Sequence, residues 1–197
     1  MDRKAFIGLM GAGLIGRGWT GGPHPGSEWF AAAPRARTPL PRLLEVSGAD
    51  LTLTAAPTTA SVRDGTSEVW TYNGEYPSPL IRLRRGERAQ VRLVNRLTEE
   101  TIVHWHGLDV PEAADGHPRF AIDPGAEYAY DFTVTDAPGL YWYHPHTHGR
   151  TAPQTYMGMA GLLVVEDDTE AELGLPSGEF ELNLVLQDKR LGSGTEI

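Results

Sequence analysis

The sequence predicts an all-β fold, a sandwich or barrel of antiparallel strands, followed by a further strand-like run that could open a second domain. Three observations carry this. From Ala49 onward apolar and polar residues alternate in short runs, broken by Gly, Pro and Asn-Gly turn signals, with no helical period between them. Of the 197 residues 40% are hydrophobic, enough for one generous core. Two histidine clusters, His104-Trp105-His106-Gly107 and His144-Pro145-His146-Thr147-His148-Gly149, each follow an apolar, β-prone run. Residues i and i+2 of a strand point to one face, so each His-x-His pair aims two imidazoles, roughly 7 Å apart, into one space.

In chain order, residues 1–22 read as an export signal: a charged start, Asp2-Arg3-Lys4, then an apolar stretch from Ala5 to Ile15. The order Arg3-Lys4-Ala5-Phe6-Ile7 is similar to a twin-arginine signal, with Lys4 at the second arginine position, so the expected location is periplasmic or secreted. The apolar run is shorter than the ~20 residues a membrane-spanning helix needs, so no membrane span is expected. Residues 23–45 read as a linker, rich in Gly, Pro, Ala and Arg; His24 lies at its start and takes no role.

Residues 46–168 form the expected compact unit. Strands are predicted over Asp50 to Ala55, Glu68 to Tyr72, Leu80 to Arg84 and Arg88 to Leu97, with Asn73-Gly74 and Arg85-Gly86-Glu87 as turns. Thr101-Ile102-Val103 leads into the first histidine pair. Leu108 to Pro124 holds three prolines and Gly116 and reads as a loop beside the pair. Glu127 to Val134 is the next strand, Asp136-Ala137-Pro138-Gly139 a turn, and Leu140-Tyr141-Trp142-Tyr143 the aromatic strand that carries the second cluster. Thr151 to Met159 allows a helical turn before the closing strand Gly161 to Glu166. Residues 169–197 contain one more alternating run, Glu181 to Asp188, which either adds to the edge of the preceding sheet or begins a second domain.

Composition narrows the chemistry. With 17 basic against 26 acidic residues the formal charge is −9, and the one basic stretch, Arg82 to Arg88, is short, so nucleic acid is not an expected partner. The chain has no cysteine, which removes disulfides, thiolate nucleophiles and thiolate ligands and leaves His, Asp, Glu and Met to hold a metal. Imidazole suits zinc, copper, iron and nickel alike. His104, His106, His144 and His146 are the candidate ligands. Within the loop, Asp115 is either an acid beside the site or a turn-capping residue before Gly116. Glu112 and His117 are further candidates there. Trp105, Trp142 and Tyr143 are expected to pack the core or wall the site.

These residues also carry a family resemblance. His104 to Pro111, Trp142 to Gly149 and Met157 to Asp167, with Tyr72-Asn73-Gly74 and Pro79-Leu80-Ile81-Arg82, resemble the N-terminal cupredoxin (plastocyanin-like) domain of multicopper oxidases, nearest the bacterial laccase and cuprous-oxidase branch. Gln187-Asp188-Lys189-Arg190 resembles the first strand of that family's second domain. The resemblance implies a cupredoxin-like Greek-key β-sandwich and copper as cofactor, as type 2 and type 3 ions of a shared trinuclear cluster. It assigns His104 to the type 2 ion, His106, His144 and His146 to the type 3 ions, and proton handling to Asp115; His148 is not used as a ligand. The implied reaction is reduction of O2 to water, coupled to one-electron oxidation of a small reducing substrate such as a phenol or a metal ion.

The family's type 1 copper requires a cysteine, and its cluster takes further His-x-His motifs from a C-terminal domain. Neither is present in these residues. The expected protein is therefore truncated, half of a copper site completed by a separate chain or by C-terminal cupredoxin domains. Two other readings compete: a copper carrier with a mononuclear four-histidine site, and a cupin-like metalloenzyme with Glu112 as its carboxylate.

Overall fold

A computed structural model describes residues 43–47, 50–62, 65–174, 178–190 and 192, all within the compact unit Arg42–Ile197. The expected export signal over residues 1–22, with His24 and the linker up to residue 42, lies outside the described residues. Nine strands are described: β1 Glu45–Ser47, β2 Asp50–Val62, β3 Gly65–Tyr72, β4 Leu80–Arg84, β5 Arg88–Asn95, β6 Val103–His106, β7 Glu127–Thr133, β8 Gly139–Pro145 and β9 Gly161–Glu166. Two short helices, α1 Thr151–Met157 and α2 Asp168–Glu172, flank β9.

The strands form a five-stranded sheet in the order β1-β4-β9-β8-β6 and a four-stranded sheet in the order β3-β2-β5-β7. The all-β sandwich is thus as the sequence predicts. Its ladders are mixed, however: β1 with β4, β4 with β9 and β2 with β5 run parallel. Alternation of apolar and polar residues reads the same beside a parallel or an antiparallel neighbour, so strand direction is not written in the pattern. Asn73-Gly74 is a tight turn as expected, with φ of 57° and 76°. It joins strands of different sheets, and the Asn73 side chain accepts from Thr54 N at 2.7 Å and donates to the Thr52 carbonyl at 2.9 Å, tying the turn to β2.

Between the sheets lies a core that includes Leu53, Tyr72, Ile81, Leu93, Ile102, Trp105, Tyr130, Tyr143 and Leu163, each 1% exposed or less. Trp105 packs edge-on against Tyr130 at 5.2 Å and tilted against Tyr143 at 6.0 Å, so the residues next to the histidines anchor β6 and β8 from the inside. Burial of four large aromatic side chains here is worth several kcal/mol, at about 25 cal/mol per Å² of apolar surface.

The run Glu181 to Asp188 is not a strand and adds to no sheet edge among the described residues. Its alternation is present, with Glu181, Asn183 and Val185 half-buried and Leu182, Leu184 and Leu186 exposed. An extended segment becomes a strand only when a ladder partner meets its backbone. Side chains hold this one instead: Arg82 Nη2 donates to Glu181 Oε1 at 2.6 Å, Tyr76 OH to Gln187 Oε1 at 3.2 Å, and Arg190 N to Tyr156 OH at 2.7 Å.

Candidate metal centre

The antiparallel ladder of β6 and β8 sets His104 opposite His144, Trp105 opposite Tyr143 and His106 opposite Trp142. Residues directly opposite on paired strands share a face, as do i and i+2 on one strand. The two rules together turn Trp105 and Tyr143 into the core and gather the histidines outside it. Ligand nitrogens of His104, His106 and His144 all lie within 4.8 Å of one another. His146 follows β8 directly, with its ring centroid 5.0 Å from that of His104 and 6.3 Å from that of His144. Its N–H donates to the Ile102 carbonyl at 3.0 Å, which pulls the end of one histidine segment onto the start of the other.

Hydrogen bonds around the rings decide which nitrogens are free. His104 Nδ1 donates to the Asp115 carbonyl at 2.7 Å, with the Asp115 carboxylate Oδ1 at 3.2 Å from the same atom. His144 Nδ1 donates to the Pro145 carbonyl at 2.8 Å. A carbonyl only accepts, so each Nδ1 carries the proton and each Nε2 presents a lone pair. His144 Nε2 then accepts from His106 Nδ1 at 3.2 Å. His146 Nδ1 is buried with no hydrogen-bond partner. Burial of the His144 ring pushes its pKa down to about 4, against the bond to Pro145 and with small additions from the other three histidines. His144 is therefore neutral at pH 7, the form a metal needs. An orphaned buried nitrogen, converging imidazoles and rings held by outer carbonyls fit a copper-type nitrogen site.

Two further contacts shape the centre. Gly116 has φ +77°, and a Cβ there would lie 2.0 Å from the Val103 carbonyl oxygen and 2.8 Å from His104 Cα. Only glycine lets the loop press this close to β6, which is what brings the Asp115 carbonyl to His104. Trp142 lies against His144 and His106, with ring centroids 4.2 and 4.8 Å away, and forms a half-exposed wall beside them.

The other loop candidates stand apart. Glu112 pairs with Arg119 at 2.8 Å, and His117 Nδ1 accepts from Arg119 N at 3.2 Å, capping the 3-10 turn Pro118–Phe120. Asp115 is the acidic loop residue in contact with a cluster histidine. His148 is exposed. Sequence reasoning missed the role of Gly116: the Asp-Gly pair signals a turn, but a close backbone approach leaves no local sign.

Residues 54–170 match a family model described as multicopper oxidase. The multicopper oxidase mco of Staphylococcus aureus is 40% identical over 118 residues, which cover 60% of this chain and 26% of that protein. The cell division protein FtsP of Escherichia coli is 36% identical over 195 residues, covering 97% of this chain and 40% of FtsP. Among solved structures, the McoA multicopper oxidase of Aquifex aeolicus superposes with a TM-score of 0.72 at 38% identity, covering 78% of this chain and 36% of its own. The laccase-like CueO of Ochrobactrum sp. gives 0.68 at 36% identity, covering 71% and 32%. This chain thus spans 26% to 40% of the length of these two curated relatives.

Proposed function

The chain belongs to the multicopper oxidase family, and we propose that it supplies one half of a trinuclear copper cluster. His104 is the type 2 ligand in this reading, and His106, His144 and His146 are the type 3 ligands. The observation that carries it is the convergence of ligand nitrogens within 4.8 Å at His104, His106 and His144, with the unbonded His146 Nδ1 beside them. Bound copper would supply the one-electron chemistry by which O2 is reduced to water, while a phenol or a metal ion is oxidised. The chain's own residues hold and orient: the Asp115 and Pro145 carbonyls fix the tautomers of His104 and His144. In this reading the Asp115 carboxylate passes protons inward, a role supported by its 3.2 Å contact with His104 Nδ1 and its partial exposure to solvent.

No cysteine is available among the 197 residues for a type 1 copper. The electron-entry copper and the remaining histidines therefore come from a separate chain or from C-terminal cupredoxin domains, with O2 and a small reductant as substrates. A periplasmic or secreted location, reached by the twin-arginine-like segment, belongs to the same proposal; among the described residues no helix is long and apolar enough to cross a membrane. A copper carrier with a mononuclear histidine site is the second reading, supported by the ligand nitrogens of three histidines within 4.8 Å of one another.

Copper(II) titration of the 197-residue chain, followed by electron paramagnetic resonance and a phenol-oxidation assay, separates these. The half-cluster reading expects histidine-bound copper, lost in His104→Ala and His144→Ala, and no phenol turnover by the chain alone. A single tight four-nitrogen copper supports the carrier. Strong turnover without a partner overturns the claim of incompleteness. Failure to take up copper overturns both readings and leaves a role like that named for FtsP.

A further inference from the structure

We propose that Gln154 is a positioning residue for the metal centre, the joint that fixes His146 relative to His104. This rests on the copper reading above. Three of the four histidine rings are aimed by bonds of their own: His104 through Asp115, His144 through Pro145, and His106 through His144. The His146 ring has none, since its Nδ1 is buried without a partner. No hydrogen bond therefore aims it, and its place is set by its backbone together with packing against the His104 and His144 rings.

That backbone is held on both sides. Before it, the His146 N–H is bonded to the Ile102 carbonyl at 3.0 Å. After it, the Thr147 carbonyl accepts from Arg150 N at 3.0 Å, Thr151 N at 3.1 Å and Thr151 Oγ1 at 3.0 Å, joining the histidine segment to the start of α1. Both anchors converge on Gln154, which sits in α1 with no exposed surface. Its Oε1 accepts from Thr101 Oγ1 at 2.9 Å, and its Nε2 donates to Glu99 Oε1 and to the Glu100 carbonyl, both at 2.8 Å. Thr101 is itself fully buried and bridged to Ile122 by backbone bonds at 3.1 and 2.9 Å. Arg150 closes the ring by donating to Glu99 through Nε at 3.0 Å. One amide thus fixes residues 99–101, just ahead of the first histidine pair, to the helix that follows the second.

A buried amide costs free energy to desolvate, and an apolar side chain of the same length would fill this space without that cost. What the amide adds is geometry, because all of its polar atoms are bonded and every partner lies on residues 99–101, just ahead of the first histidine pair. Partners bonded directly to a metal ligand typically govern affinity by 10- to 100-fold, and Gln154 acts one step further out, through the segment that carries the ligand.

The test compares Gln154→Met and Thr101→Val with the conservative Thr101→Ser, using amide hydrogen exchange in the metal-free chain and copper(II) affinity. Loss of the bond is expected to speed exchange of the His146 amide beyond that of amides in the central strands β2 and β5, and to weaken copper binding by up to about tenfold. Thr101→Ser keeps the hydroxyl and should retain both. The double variant Gln154→Met with Thr101→Val should be little worse than either single one, as expected for partners in one bond. Exchange at His146 that rises only in step with β2 and β5 would show a purely structural glutamine and overturn the proposal. If the wild-type chain takes up no copper, the copper reading fails while the exchange comparison still decides the role of Gln154.

Discussion

The Cβ position of Gly116 lies 2.0 Å from the carbonyl oxygen of Val103, at a backbone φ of +77°. Any side chain there meets backbone rather than a flexible group, in a conformation that already disfavours L residues. Gly116→Ala is expected to lift the loop from β6 and break the 2.7 Å bond from His104 to the Asp115 carbonyl. The expected cost is roughly 2 kcal/mol or more in urea unfolding, with weaker copper uptake. Unchanged stability would show that the loop has room to shift.

Trp142 offers an optical readout. Its ring centroid is 4.2 Å from that of His144 and 4.8 Å from that of His106. A copper(II) ion on those imidazoles would quench this indole most strongly, because quenching by electron or energy transfer falls steeply with distance. Trp142→Phe is expected to remove more of the copper-dependent quenching than a change at either of the other described tryptophans, and Trp70→Phe little of it. Equal effects from the two would place the copper elsewhere.

Glu99 predicts an acid limit. Burial raises its pKa, but the bonds from Arg150 and Gln154 and the Arg150 charge outweigh this and hold it below the usual 4.5. The folded value is thus lower than the unfolded one, so the contribution to stability is complete above about pH 4.5 and fades as pH falls through the folded value. The stability difference between wild type and Glu99→Gln should therefore be constant at neutral pH and shrink below about pH 4.5. Denaturation midpoints measured across that range check this.

Arg82 spans three segments. Its guanidinium donates to Glu45 of β1 at 2.6 Å, Glu166 of β9 at 2.5 Å and Glu181 of the terminal segment at 2.6 Å, each from a different nitrogen. Lysine carries the charge but cannot fork in this way. Arg82→Lys is expected to cost about 1–3 kcal/mol and to speed proteolysis within residues 181–190. A cleavage rate equal to wild type would mean that Tyr76 and Tyr156 suffice to hold the segment.

The strand-rich core, the two His-x-His pairs and the lack of any thiolate are legible in the sequence, because they depend on residue type and on a two-residue period that acts within one strand. Tertiary structure alone decided that His104 faces His144 across a ladder, that Gly116 touches Val103, and that Gln154 joins the segments on either side of the cluster. These are relations between residues 13 to 53 positions apart, and the local pattern is blind to them. The same blindness explains the parallel pairs and the terminal run Glu181 to Asp188. Alternation there promised a strand, but a strand exists only where a second backbone completes its hydrogen bonds.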